Sequence, residues 1–176
     1  MENKLALEAL EYAMFNERLG YCFYTKAAEM TTDEMGKKMF ISLALDEEEH
    51  LSILQKEFDY LKKTSNWISI DQVQCAKSPS SAPAIFPEEE AKVAEMIRKR
   101  TSDLDALDIA LDMENRSYDL YREAAEKTNN FTAKAVYEYL CKEENKHFTM
   151  IQKTREYLAS SGAWLWDDLH PPMLDG

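Results

Sequence analysis

Residues that interrupt helices are scarce in this sequence, which has four glycines and five prolines among 176 residues. Because Gly and Pro disfavour helix interiors most, this scarcity favours long helices. Cysteine is scarce too: the three cysteines lie far apart without a Cys-x-x-Cys pair, which argues against a disulfide framework or a four-cysteine metal site. The length and a hydrophobic fraction of 45% suit one domain with a well-buried core.

Positive charge is also in short supply, and the formal net charge is -12. A chain this acidic repels phosphate backbones and anionic lipid surfaces, so we expect neither a nucleic acid nor a membrane partner. No stretch approaches the roughly 18 consecutive apolar residues of a membrane-spanning helix. The first residues enter an amphipathic pattern without a signal-peptide core, which predicts a cytoplasmic protein.

Histidine occurs three times, and two of the three lie in the same short motif, Glu-x-x-His. The two copies, Glu47 with His50 and Glu144 with His147, stand 97 residues apart. Each copy also has a glutamate 30 residues upstream. These upstream residues are Glu17 and Glu114.

The motif belongs to a longer internal repeat. Residues 10–61 and 107–158 share 17 identities over 52 positions without a gap. Identical residues thus occupy about a third of the aligned positions, whereas ordinary composition would produce roughly one in fifteen. Two repeated helical hairpins, each with an apolar face for the other to cover, predict a four-helix bundle with an approximate two-fold axis.

Apolar periodicity predicts the four long helices at about 2–30, 34–63, 102–127 and 132–160. Thr31 and Glu34 have the chemistry of a capping box at the second helix start. The fold class is therefore all-α, a ferritin-like bundle over 1–163, with hairpins at about 2–63 and 102–160. The long crossover 64–101 is predicted to contain a short helix at about 88–100, and residues 164–176 form a C-terminal tail.

The hairpin lengths place the two glutamates of each hairpin at the same distance from the turn, measured along the helix axis. Glu17 and Glu47 each stand 15 residues from Thr32, or about 22 Å at the helical rise. Glu114 and Glu144 have the same relation to Asn129. We therefore expect residues 30 apart in sequence to be neighbours.

The convergence of four glutamates and two histidines indicates a pair of metal ions. Residues three apart share a helix face, so each Glu-x-x-His presents a carboxylate and an imidazole together. Four buried carboxylates would repel one another without cations. Oxygen and imidazole ligands without thiolate suit iron or manganese, and zinc is compatible.

Two tyrosines and the C-terminal tail are further candidates. Tyr24 and Tyr121 lie two helical turns beyond Glu17 and Glu114, which allows either a phenol hydrogen bond near the metals or plain core packing. Asp46 and Glu143 could accept hydrogen bonds from the site, but the surface reading is favoured for both. The apolar tail residues are expected to dock on the bundle or on a second subunit. They are Trp164, Leu165, Trp166 and Leu169.

Over residues 5–160 these motifs resemble the rubrerythrin branch of the ferritin-like superfamily. The resemblance implies a non-haem site with two iron ions, in which Glu47 and Glu144 bridge the ions. It also implies a homodimer that reduces hydrogen peroxide in its diferrous form. The implied iron ligands are Glu17, Glu47, His50, Glu114, Glu144 and His147.

Two departures from the family pattern matter for function. Rubrerythrins typically add a second glutamate one turn after the third-helix ligand, where this chain has Ser117, and Gly20 holds the related position in the first helix. The Cys-x-x-Cys pairs of a rubredoxin domain are also missing. Electrons must then come from an external donor such as rubredoxin.

Three functional hypotheses follow. The first is an oxidoreductase that reduces peroxide or dioxygen at a di-iron site, with Tyr24 and Tyr121 as catalytic residues. The second is an iron-handling protein that takes up Fe²⁺ as a substrate and oxidises or delivers it. The third is a metal-stabilised interaction module without catalysis.

Overall fold

In a computed structural model of the chain, residues 2–75, 87–97 and 102–165 are described, and the following statements concern these residues. They form six helices and no strand, which confirms the prediction of an all-α ferritin-like bundle. The helices are α1 (Glu2–Met30), α2 (Glu34–Thr64), α3 (Ile70–Cys75), α4 (Pro87–Ile97), α5 (Asp103–Lys127) and α6 (Phe131–Ser161). None of them is long and apolar enough to cross a membrane.

The second helix of each hairpin starts with an equivalent side-chain cap. Asp33 accepts hydrogen bonds from two N–H groups in the first turn of α2, and Asn130 does the same for α6. The predicted capping box of Thr31 and Glu34 is therefore wrong. Thr31 instead closes α1, because its N–H donates to the Ala27 carbonyl.

The same two helices end alike. Ser65 after α2 and Gly162 after α6 both adopt the left-handed conformation, with φ of 59° and 71°. Each N–H bonds back to a carbonyl in the last turn, which terminates the helix. A tryptophan follows two residues later in both hairpins, Trp67 and Trp164, so the 97-residue repeat extends beyond the region in which identities are dense.

Two apolar clusters fill the bundle, one on each side of the glutamates. Phe23, Phe40 and Leu107 are fully buried in the first cluster. Tyr121 and Leu140 are fully buried in the second. The glutamates thus lie between two dry layers that exclude water from them.

The segment between the hairpins carries two short helices. The predicted helix at 88–100 corresponds to α4, which packs on α1 through Val93 and through an ion pair of 2.7 Å between Arg18 and Glu89; residues 98–100 lie outside the described residues. Helix α3 was not predicted, because six residues are too few to show a helical period. It contacts α2 and α6 and buries Val73.

Of the two described residues of the C-terminal tail, Trp164 docks on the bundle, whereas Leu165 is 36% exposed. Trp164 packs edge-on against Phe40, with ring centroids 5.7 Å apart, and its indole N–H donates to Asp103. Gly36 permits this approach, since a Cβ there would stand 2.6 Å from Cε2 of the indole. Trp166, Leu169 and the prediction of docking for them lie outside the described residues.

Candidate metal centre

The six predicted ligands converge at mid-height of the bundle. All are buried, with at most 4% of any of them exposed. They come from the four long helices, one glutamate each from α1 and α5 and a Glu-x-x-His pair each from α2 and α6. The residues are Glu17, Glu47, His50, Glu114, Glu144 and His147.

Their ligand atoms form two overlapping groups, in each of which all atoms lie within 4.8 Å of one another. One group contains Glu17, Glu47, His50 and Glu144. The other contains Glu47, Glu114, Glu144 and His147. Glu47 and Glu144 belong to both groups, so each has a position from which its two oxygens can serve two ions.

Each imidazole faces carboxylates of both hairpins. Nδ1 of His50 lies 3.0 Å from Oε1 of Glu144 and 3.4 Å from Oε2 of Glu17. Nδ1 of His147 lies 3.4 Å from Oε2 of Glu114 and 3.7 Å from Oε1 of Glu47. The centre therefore forms only when the two hairpins are packed together.

Two buried phenols bind the outer glutamates across the hairpin interface. Tyr24 donates to Glu114, and Tyr121 donates to Glu17. Burial, followed by the negative charge of the nearby carboxylates, raises the pKa of both phenols well above its ordinary value. Both phenols therefore keep their protons at neutral pH, and both are also part of the apolar core.

The buried carboxylates repel one another electrostatically, as expected for four glutamates in one cluster. Burial and then the charges of neighbouring glutamates raise the pKa values of Glu47 and Glu144 well above the usual range. Burial also opposes ionisation of Glu17, but hydrogen bonding and charge from His50 lower its pKa overall. Against burial, Glu144 and Glu17 raise the pKa of His50. The site favours bound positive charge.

Unpaired atoms test whether metal ions fit this site. Among the described residues, seven buried side-chain atoms have no hydrogen bond of good geometry, and five of them point into the cluster, where they contact one another only at ion-pair distances of 3.0–3.4 Å. Buried polar atoms without a good hydrogen bond are costly, so five at one place indicate a site that suits a bound cation. The five atoms are Oε2 of Glu17, Nδ1 of His50, Oε2 of Glu114, Oε1 of Glu144 and Nδ1 of His147. Carboxylate oxygens and imidazole nitrogens are donors that suit iron or manganese.

Asp46 belongs to the surroundings of the site, and its reading as plain surface is wrong. Its Oδ2 lies 3.3 Å from Nε2 of His147, on the opposite side of the ring from the unpaired Nδ1. The repeat equivalent of Asp46, Glu143, pairs instead with the exposed Lys146 at 2.6 Å. The two half-sites therefore differ in how their histidines are held.

Gly20 lies directly against Glu47. A Cβ at this position would stand 3.0 Å from both Cδ and Oε2 of the glutamate. This distance is shorter than almost all real Cβ contacts, so a side chain here would displace Glu47. The glycine that departs from the family pattern is thus matched to the placement of a shared ligand.

Comparison with known protein families identifies the family to which the chain belongs. The model of the rubrerythrin family matches residues 8–155, which include all six predicted ligands. The chain belongs to the rubrerythrin family. Comparisons with curated proteins and with solved structures found no match.

Membership in the rubrerythrin family, together with the buried cluster, supports a di-metal site of the iron type. The six residues that sequence reasoning predicted as ligands, because they repeat, are brought together in this cluster. The same reasoning considered Asp46 as an acceptor but favoured a surface position, and it missed Glu57, a fully buried carboxylate on α2. Glu57 had a signal in the sequence, since it falls on the apolar stripe of α2, one turn after Leu54 and one turn before Leu61.

Proposed function

We propose that this member of the rubrerythrin family reduces hydrogen peroxide at a site for two iron ions, using electrons from an external donor. The observation that carries the proposal is the sharing of Glu47 and Glu144 by two ligand groups. Two ions held by shared carboxylates are close enough to act together on one small oxidant. When bound, the ions supply two electrons, one from each Fe²⁺.

The chain's own residues hold the site in place and supply protons to it. Reduction of peroxide to two waters consumes two electrons and two protons. Two phenols that remain protonated at neutral pH, Tyr24 and Tyr121, lie on the outer glutamates, one on each side of the cluster. We assign them as the proton donors nearest to the reacting oxygens. The apolar clusters on both sides keep bulk water out.

Loading and oxidation of the metal-free protein test the proposal. The anaerobic protein is loaded with two Fe²⁺ per chain, and peroxide is added in steps while iron oxidation is followed by absorbance. We expect rapid oxidation of two Fe²⁺ per peroxide and repeated turnover with a reductant. Slow oxidation, or iron that stays ferrous, would contradict the proposal.

A second candidate, iron handling with Fe²⁺ as substrate, is favoured by one observation. Ser117 on α5 stands where the family pattern has a further glutamate, and Gly20 holds the related position on α1, so the extra carboxylate is missing. In that case oxidation stops after one turnover, and Fe³⁺ leaves the site or accumulates beyond two ions per chain. Iron analysis after several Fe²⁺ additions separates the two candidates.

The third candidate, an interaction module that uses metal only for stability, predicts that loss of the metal costs the fold and with it partner binding. A Glu144→Ala variant that keeps its fold and partner binding but loses metal and peroxide chemistry would exclude this candidate. The donor, which we propose to be a rubredoxin-like protein, and a homodimeric state complete the proposal.

A further inference from the structure

Two chains of aromatic rings lead away from the metal centre, related by the 97-residue repeat. On one side Tyr121 stacks on Tyr137, with centroids 6.4 Å apart, and Tyr137 meets Trp67 edge-on at 5.6 Å. On the other side Tyr24 stacks on Phe40 at 6.2 Å, and Phe40 meets Trp164 at 5.7 Å. Each chain starts at a phenol bonded to a ligand glutamate and ends at a half-buried indole.

The chains differ in chemistry at their middle ring. Phenol and indole rings can lose an electron to a strong oxidant, whereas the benzene ring of phenylalanine cannot under biological conditions. The chain with Tyr137 is therefore redox-active throughout, while Phe40 interrupts the other.

A second difference accompanies the first. In the Tyr137 half, Glu57 accepts a hydrogen bond from the backbone N–H of Ile68, and in the Phe40 half its repeat equivalent Thr154 donates to the carbonyl of Leu165. Both bonds hold the segment that carries the tryptophan. Only Glu57 is a carboxylate, and its Oε1 is buried without a partner. Its charge is close enough to raise the pKa of Tyr137, after the larger effect of burial.

We propose that Tyr121, Tyr137 and Trp67 form an outlet for oxidising equivalents. Single electrons pass along these rings from the protein surface to the metal centre, so that the oxidation moves outwards. The inference depends on the proposed peroxide chemistry. It applies when peroxide meets a site that holds only one reducing electron, as happens whenever the external donor is scarce.

The electron count is then complete. Peroxide would take one electron from the iron pair, when that pair is bound, and one electron together with the phenol proton from Tyr121; with a second proton from solvent it becomes two waters. Tyr121 is restored by an electron from Tyr137 and a proton from solvent, while the phenol proton of Tyr137 passes to Glu57. Tyr137 is restored by an electron from Trp67, and Glu57 returns the proton. The oxidised indole is reduced at the surface by a one-electron donor of the thiol or ascorbate class.

Partly reduced protein provides the test. The full chain, loaded with iron and reduced to about one electron per site, is mixed with peroxide without an added donor and frozen for electron paramagnetic resonance. Parallel samples are digested, and oxygen addition to the peptides of Trp67 and Trp164 is quantified by mass spectrometry. We expect an organic radical and several-fold more oxidation at Trp67 than at Trp164.

Two isosteric variants act as opposite controls. Tyr137→Phe should abolish the excess oxidation at Trp67, and Phe40→Tyr should raise oxidation at Trp164 towards the level at Trp67. Glu57→Gln removes the proton acceptor and should lower oxidation at Trp67. Fully reduced Tyr137→Phe protein should oxidise its iron at the normal rate, because the metal pair then supplies both electrons.

The outcomes separate this inference from the function on which it depends. If iron oxidation is normal but Trp67 and Trp164 are oxidised equally, the outlet is overturned and the peroxide chemistry stays intact. Unchanged oxidation of Trp67 in Tyr137→Phe would lead to the same conclusion. Unchanged oxidation at Trp67 in Glu57→Gln would overturn the proton step. Absence of iron oxidation by peroxide would overturn both proposals.

Discussion

Asp46 and His147 join the two hairpins at the metal centre, with 3.3 Å between Oδ2 of the acid and Nε2 of the ring. The contact leaves Nδ1 of the histidine facing Glu114 and Glu47. Carboxylates that hold the far nitrogen of a ligand histidine fix the ring orientation and increase its basicity. Asp46 therefore has a role that its exposed neighbours Glu48 and Glu49 lack.

Asp46→Asn should weaken metal binding. Loss of the charged acceptor lets the ring of His147 rotate, and changes of this kind cost roughly 10- to 100-fold in affinity. Competition with a chelator measures the change. Glu143→Gln is the matched control, since its carboxylate pairs with Lys146. Equal affinities in the two variants would show that the contact does not position the histidine.

Substitution of a glutamate that belongs to both ligand groups should remove more metal ions than substitution of a glutamate that belongs to one group. Glu144 lies in both ligand groups and Glu17 in one. Glu144→Gln should lower the content from about two ions per chain to below about one, whereas Glu17→Gln should retain about one. Metal analysis of folded protein gives the count. In the metal-free state Glu144→Gln should also be more stable than the native chain, because it removes one of the repelling carboxylates.

Removal of either buried phenol should slow peroxide reduction without loss of metal. Tyr24→Phe and Tyr121→Phe leave Glu114 and Glu17 without their donors, which costs about 1–3 kcal/mol of stability in the metal-free protein. We expect iron oxidation by peroxide to slow about 100-fold, at the low end of the range for loss of one proton donor. The repeat pair Tyr60 and Tyr157, both partly exposed, provides the controls. Unchanged rates in both phenol variants would exclude a role in proton supply.

Gly20→Ala should disturb Glu47. The added methyl would stand 3.0 Å from the carboxyl carbon, so the glutamate must move. We expect weaker binding of both ions, since Glu47 belongs to both groups. Ser117→Ala, at the equivalent position of the other repeat, only removes a hydroxyl. If the Gly20→Ala protein binds metal as tightly as the native chain in a chelator competition, the site can absorb the shift and the prediction is wrong.

Glu57 should make the stability of the metal-free protein depend on pH. Burial raises its pKa from 4.5 to about 7, although the N–H of Ile68 opposes the shift. Between these values the unfolded chain has lost this proton and the folded chain still holds it. The free energy of unfolding therefore falls as pH rises from about 4.5 to about 7, by roughly 3 kcal/mol in total.

Urea unfolding at pH 5 and pH 8, with a chelator present, measures this slope. Glu57→Gln should remove the pH-dependent contribution of Glu57 to stability. The difference in free energy of unfolding between this variant and the native chain should therefore change between pH 5 and pH 8. Thr154→Val removes the equivalent bond in the other hairpin and should shift stability equally at both. A constant difference for Glu57→Gln would mean that Glu57 ionises normally in the folded protein.

The sequence determined the architecture and singled out the candidate ligand set. Helical periodicity and scarce Gly and Pro specified the four long helices, and the 97-residue repeat singled out Glu17, Glu47, His50 and their equivalents. The equal distances of these acids from the turns predicted that they meet, because helical rise is constant. Such features are local or periodic, so they can be read without coordinates.

Tertiary structure alone decided how the two hairpins complete one another. The bonds from Tyr24 to Glu114 and from Asp46 to His147 cross between hairpins, and no spacing along the chain specifies their rotamers. The short helix α3 also depends on contacts with α2 and α6 rather than on a period of its own. Packing likewise turned two repeat-related tryptophans into ends of two aromatic chains, one of which is interrupted by Phe40. Repetition thus singled out the candidate ligands, while packing between the halves decided which side chains they contact.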